Sequence, residues 1–165
     1  ITEQLAKDLE PYNLQYFEQP MPADLIDESA RIRKTTSTPL ALNESVTTLE
    51  QVRRILELDA AAVLLPDTYQ CGGLWPCKLI GDLAASASVP CVMHCAHDLG
   101  PKTAAMLHLV ASTPNYSLAN DCTYYGLEED VITEPFKIDR GFMAVPQGPG
   151  LGIDIDVERV RKYQV

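Results

Sequence analysis

A chain of 165 residues with a formal charge of −10, 46% hydrophobic and 22% charged residues, has the length of one well-cored domain and is short for two. Its acidity argues against a nucleic-acid partner, which needs a basic face. No apolar run approaches the ~20 residues of a membrane span, so no membrane partner is expected.

The chain opens on a polar amphipathic stretch, residues 1–13, with no apolar signal core and no initiator Met; the expectation is a chain that begins mid-protein. Short β-rich runs then alternate with longer helical ones. Strands are expected at 14–18, 40–43, 62–67, 91–94 and 117–121, and helices at 23–36, 48–58, 74–88 and 101–112. In the second helix Leu49, Val52, Ile55 and Leu56 fall at helical spacing, so one face is buried. Thr48 with Gln51 three residues later reads as a capping box at its start. Residues 134–152 are rich in Pro and Gly, with a hairpin expected to turn at 139–141 and a last short helix over 157–163.

Five cysteines (Cys71, Cys77, Cys91, Cys95 and Cys122) form no CxxC pair. That favours reduced, buried thiols and a cytoplasmic protein. A metal cluster of Cys91, Cys95 and His94 is the weaker reading of three of these positions.

Alternating strand and helix with short links implies parallel βαβ units. Each expected strand ends on a polar or ionisable residue, namely Glu18, Asn43, Asp67, His94 and Asp121, at steps of 25, 24, 27 and 27 residues. One strand-helix unit of an eight-fold barrel has about this length. The five residues therefore occupy equivalent places at the C-terminal ends of successive parallel strands, the rim where barrel enzymes collect catalytic groups. A doubly wound open sheet would also gather ligands there, but no GxGxxG or Walker sequence is present to support a nucleotide site.

As chemistry, Glu18 and Asn43 are two oxygen donors on neighbouring strand ends, suited to a hard cation such as Mg²⁺. Singly, they read as an exposed strand-end acid and a turn former. Asp67 and His94 are close enough in the pattern for a carboxylate to orient an imidazole, whose other nitrogen then moves protons. A buried histidine satisfied by any nearby acceptor is the plainer reading. His97 competes with His94, while His108 falls inside a helix. Asp121 faces the same space, able to accept a substrate hydroxyl or to hydrogen-bond a developing enolate. Asn120 is its rival, because neighbours on a strand point to opposite faces.

Together these residues resemble the enolase superfamily, in its mandelate racemase/muconate lactonizing branch. Phe17-Glu18-Gln19-Pro20 resembles that branch's second metal-ligand motif, and Leu42-Asn43-Glu44-Ser45 its third, with Asn43 where Asp is common; glucarate dehydratases also carry Asn there. Glu44 is the alternative ligand. Leu65-Pro66-Asp67 followed by Gly72-Gly73 resembles the strand bearing the dyad aspartate, and His94, four residues past Pro90, fits the dyad histidine. Residues 94–114 and the Pro/Gly-rich ending are similar to the seventh strand with its helix and to the C-terminal segment of glucarate-type acid-sugar dehydratases.

The resemblance implies an α/β fold: a partial (β/α)8 TIM-type barrel spanning residues 1–165, about the last five βα units, with 133–165 as a C-terminal segment and short helix. It implies Mg²⁺ held by Glu18 and Asn43 plus a further ligand outside the chain, and His94, Asp67 and Asp121 as catalytic groups. The implied reaction removes the proton α to the carboxylate of an acid sugar, stabilises an enediolate, and expels a β-hydroxyl. A racemase, epimerase or cycloisomerase of the same superfamily is the alternative, as is an inactive fragment. The branch's Lys-x-Lys motif is missing, since the six lysines never stand at that spacing, and so are its first metal ligand and N-terminal capping domain. An arc of five strands leaves two open edges, so self-association, as a homo-oligomer or through those edges, is expected.

Overall fold

A computed structural model describes residues 1–164. The chain begins with helix α1 (Thr2–Asp8) and then repeats strand and helix: β1 (Phe17–Glu18), α2 (Ile26–Arg33), β2 (Leu40–Leu42), α3 (Leu49–Glu57), β3 (Val63–Leu64), a short α4 (Thr68–Cys71), α5 (Leu74–Ser86), β4 (His94–Cys95), α6 (Gly100–Ser112) and β5 (Asp121–Cys122). A hairpin of β6 (Ile138–Asp139) and β7 (Phe142–Met143) and helix α7 (Val157–Lys162) complete it.

The strands β1 to β3 run parallel, with Phe17 opposite Leu40, Glu18 opposite Ala41 and Leu42 opposite Leu64. A parallel bridge between Leu64 and Cys91 carries the ladder on, reinforced by Val92 N donating to Leu64 O and His94 N to Pro66 O, both 2.9 Å. β4 then pairs with β5, His94 opposite Asp121. Five parallel strands thus stand in chain order with no reversal. A doubly wound sheet reverses at a switch point; an unreversed run with helical crossovers is the arc of a barrel. The expected fold class is the one observed.

The paired segments are shorter than the expected strands. Pro66 has no N–H to give to a ladder, and β1, β4 and β5 pair only at the C-terminal ends of the expected runs. Three of the expected strand ends move accordingly. His94 and Asp121 open their paired segments instead of closing them, and Asp67 lies beyond β3 as the N-cap of the unexpected helix α4, accepting from Tyr69 N. Helix α2 starts three residues later than expected, because residues 22–25 close a turn, Leu25 N to Pro22 O at 3.0 Å. Helix α3 starts where expected: Thr48 caps it, accepting from Gln51 N at 3.2 Å.

The alternation of side chains along each strand divides the core in two. Leu42, Leu64, Cys91, Met93 and Cys95 face the helices, packed with Val52, Ile55, Ile80, Ala84, Met106 and Leu109. Ala41, Val63, Leu65 and Val92 face the other way with Tyr16 and Leu118. That second face is the barrel interior, and its parity carries Glu18, Asn43, Asp67 and His94 to the same side at the rim.

After β5 the chain folds back on itself. Arg140 and Gly141 both take positive φ, 50° and 84°, the type I′ turn that suits a two-residue hairpin. Ile132 pairs with Ile155, and Arg159 Nη1 donates to the carbonyls of Asp130 and Ile132 at 3.2 Å. Asp130, 3% exposed, accepts from Gly100 N at 2.9 Å and Val131 N at 2.6 Å, and from the Tyr124 hydroxyl. It ties this segment to the start of α6. Among the described residues no helix is long and apolar enough to cross a membrane.

Candidate active site

The rim is assembled by local hydrogen bonds that hold its donors in place. Gln19, at a positive φ of 35°, accepts through Oε1 from Asn43 N at 2.9 Å and Ser45 N at 3.3 Å, and its amide donates to Ser45 Oγ at 3.0 Å and Met21 O at 2.8 Å. It therefore clamps the turn after β2 to the end of β1. Asn43, 2% exposed, donates Nδ2 to Leu65 O at 2.7 Å, which leaves Oδ1 as the atom suited to a cation. Glu18 lies opposite Ala41, two residues before Asn43, so the two Cα atoms are about 8 Å apart, within reach of one ion.

His94 is the centre of the arrangement. Its Nδ1 lies 3.2 Å from Asp67 Oδ2, and its Nε2 lies 3.5 Å from Asp121 Oδ2 and 3.8 Å from Glu18 Oε1. Asp67 is almost closed off, with 7% of its side chain exposed. Beyond His94 it accepts from Tyr69 N through Oδ1 at 2.7 Å and from Lys102 Nζ through Oδ2 at 2.9 Å. Burial alone would raise the Asp67 pKa, but the bonds from Lys102, His94 and Tyr69 N hold it below the ordinary aspartate value. Lys102 also lies 2.9 Å from Asp98 Oδ2; that oxygen is buried and has no aligned hydrogen bond, so the contact is an ion pair. Burial lowers the Lys102 pKa, and the two aspartates more than reverse this.

Across the rim the balance is opposite. Burial raises the Glu18 pKa, and the nearby Asp121 and Glu44 add to the rise while His94 offsets part of it. Tyr16 is pushed up as well, by burial and then by Glu18 and Asp121. The site thus gathers negative charge that a cation would relieve. Glu18 and Asn43 Oδ1 are oxygen donors of the kind Mg²⁺ takes. Among the described residues no group of three or more His, Cys, Asp or Glu side chains is arranged to hold a metal. The reading of Cys91, Cys95 and His94 as a cluster is thereby overturned: Cys91 and Cys95 point into the apolar layer under the helices, where burial lifts the Cys91 thiol to about 12.

The rivals are separated by their contacts. His97 is exposed and lies against Gly126, and His108 Nε2 pairs with Leu151 O at 3.1 Å. Asn120 turns back to accept from Met93 N at 2.9 Å, while Asp121 faces His94. Glu44 is exposed. Lys102, Asp98, Tyr16 and the Gln19 clamp were not among the expected site residues. Lys102 was visible only as a lysine in the first turn after the fourth strand, with nothing in its spacing to join it to Asp67.

The depressed Asp67 pKa has a consequence for stability. A carboxylate whose folded pKa lies below its unfolded value stabilises the fold above about pH 4 and loses that contribution as pH falls through the folded value. The urea midpoint should therefore fall more steeply on acidification below about pH 4 in the parent sequence than in Asp67→Asn. Equal slopes would show that Asp67 carries no such linkage.

Comparison with known proteins adds the context of ancestry. The family described as Enolase C-terminal domain-like matches residues 2–160. The chain is 33% identical over 166 positions to D-xylonate dehydratase of Haloferax volcanii, covering 99% of this chain and 40% of that protein. It is 33% identical over 165 positions to N-succinylamino acid racemase of Thermus thermophilus, covering 96% of this chain and 44% of that one. Among solved structures, an enolase from Gibberella zeae PH-1 complexed with magnesium, formate and sulfate superposes with a TM-score of 0.87 at 34% identity, over 98% of this chain and 38% of that one. The chain therefore spans less than half the length of each of these relatives.

Proposed function

The chain belongs to the Enolase C-terminal domain-like family, and from that premise we propose that it forms one arc of a larger active site that dehydrates an acid sugar. The observation that carries this reading is the His94 imidazole, held at Nδ1 by Asp67 while Nε2 faces Asp121 and Glu18. A ring oriented on one nitrogen by a carboxylate and free on the other is built to move a proton.

In this reading the substrate carboxylate lies over Glu18 and Asn43, and the carbon next to it lies within reach of Nε2. His94 takes or returns the α proton and can protonate the departing β-hydroxyl, so that water leaves and a 2-keto-3-deoxy acid remains. Asp67 keeps the ring on the tautomer that presents Nε2. Asp121 accepts a substrate hydroxyl beside it. Glu18 and Asn43 would hold Mg²⁺, which, when bound, supplies positive charge to the substrate carboxylate; the magnesium in the Gibberella zeae structure supports that choice of ion. The remaining ligand and the base on the opposite face of the substrate come from outside the chain.

The similarity to a racemase at the same identity as to a dehydratase supports a second reading, in which the α proton is removed and returned with no loss of water. The two differ in product. Incubated with Mg²⁺ and a panel of acid sugars, the full-length protein should release a 2-keto-3-deoxy acid. Exchange of the α proton for deuterium in D₂O without keto acid would favour racemisation or epimerisation. Neither product nor exchange across the panel would sink both.

A further inference from the structure

The Asp67–His94 pair carries a third member that the chemistry above does not use. Lys102 reaches back from the first turn of α6, across 35 residues of sequence, to the same Asp67 oxygen that faces His94. We infer that Lys102 is a positioning residue for the Asp67–His94 pair, a fixed counter-charge that keeps the Asp67 carboxylate ionised and its plane set while His94 gains and loses its proton. This rests on the reading of His94 as the group that moves protons.

The physical need comes from burial. A carboxylate with 7% of its side chain exposed is poorly solvated, and a buried charge without a partner is costly. If His94 were its sole partner, Asp67 would lose its counter-charge each time the ring became neutral and would tend to take up a proton. A protonated Asp67 could donate to Nδ1 instead of accepting from it, and Nε2 would then carry the ring's proton and could not accept one from the substrate.

Lys102 removes that failure because its charge does not depend on the step of the reaction. It is itself anchored: Asp98 Oδ2 also lies 2.9 Å from the ammonium, and only 24% of the lysine side chain is exposed. The groups around Asp67 are His94 from β4, Lys102 from α6, with Asp98 beside it, and the Tyr69 amide, with the Cys71 and Cys77 thiols nearby on α4 and α5. Among these described groups Lys102 is the cation independent of the proton being moved. It donates to Asp67, so the role is one of support to the pair and not of contact with substrate.

The test has two arms, so that this inference and the proposed reaction can fail separately. The first uses carbon NMR of the aspartate carboxyls in the protein and needs no activity. In Lys102→Met, or in Lys102→Gln if the first folds poorly, the Asp67 titration should move to higher pH, whereas Lys102→Arg should leave it close to the parent. The second measures steady-state kinetics of the full-length protein on a substrate it turns over. Lys102→Met should lower kcat by about 10- to 100-fold, the range for loss of a group that orients a catalytic one, with KM changed less than about two-fold and with Lys102→Arg recovering most of the rate. An Asp67 signal that does not move in either neutral variant overturns the inference whatever the enzyme does. So does a shifted Asp67 with unchanged kcat. A protein without activity on any acid sugar overturns the proposed reaction and leaves the NMR arm to decide the place of Lys102.

Discussion

Replacing His94 with asparagine in the full-length protein is expected to lower kcat by about 10³-fold, the middle of the range for loss of a general acid–base group. The loss should appear in proton exchange at the α carbon as well as in product release, because in the proposed reaction one nitrogen serves both. Asparagine keeps a polar group near Asp67 but offers nothing that can carry a proton to and from Nε2. Its shorter side chain also leaves the space between Asp121 and Glu18 empty. The fold should survive, since His94 packs at the rim while the apolar layers lie beneath it. Circular dichroism and the urea midpoint should therefore match the parent, and a variant within about three-fold of parental kcat would remove His94 from the chemistry.

The second large effect concerns stability. Asp130→Ala is expected to cost about 3 kcal/mol or more, because it strands three donors, Gly100 N, Val131 N and the Tyr124 hydroxyl, where water does not easily reach. At a typical domain stability of about 5–15 kcal/mol that is a large share, and it should show as a lowered urea midpoint with an unchanged slope. Asp130→Asn should lose less, since it keeps Oδ1 for the two amides and the Tyr124 hydroxyl can accept from its amide. Gly100→Ala should also destabilise: an added Cβ would meet Ile132 at 2.6 Å and Asp130 Oδ2 at 2.8 Å. An alanine variant at position 130 with the parental midpoint would show that the C-terminal segment does not brace α6. Since α6 carries Lys102 in its first turn, the same change should loosen the rim.

Much of the site was legible because barrel geometry repeats. Steps of 24 to 27 residues return each strand to the same rim, and alternation along the strand sends every second residue inward. That is enough to bring Glu18, Asn43, Asp67 and His94 to one side before any contact is known. Asp121 and Asn120 could not be separated in this way. The choice between them depends on Asn120 Oδ1 accepting from Met93 N, a side chain standing in for a ladder carbonyl, and alternation is silent about such substitutions. The short helix α4 was also hidden, since a four-residue helix capped by Asp67 carries too little periodicity to stand out from a loop.

Period, polarity and chain order by themselves determined the α/β class, the parallel strands and the place of most rim residues, because these depend on local spacing and on the apolar faces that must be buried; that the strands stand unreversed as a barrel arc was decided by their pairing. Tertiary structure alone decided which partners those residues meet. Lys102 finds Asp67 across 35 residues, Asp130 finds Gly100 across 30, and Arg159 finds Ile132 across 27. Each is a buried or half-buried polar group satisfied by a neighbour that only the packing of α6 and the C-terminal segment brings near. Hydrophobic pattern tells which faces turn inward, but hydrogen bonds between distant segments are settled only when those faces have met.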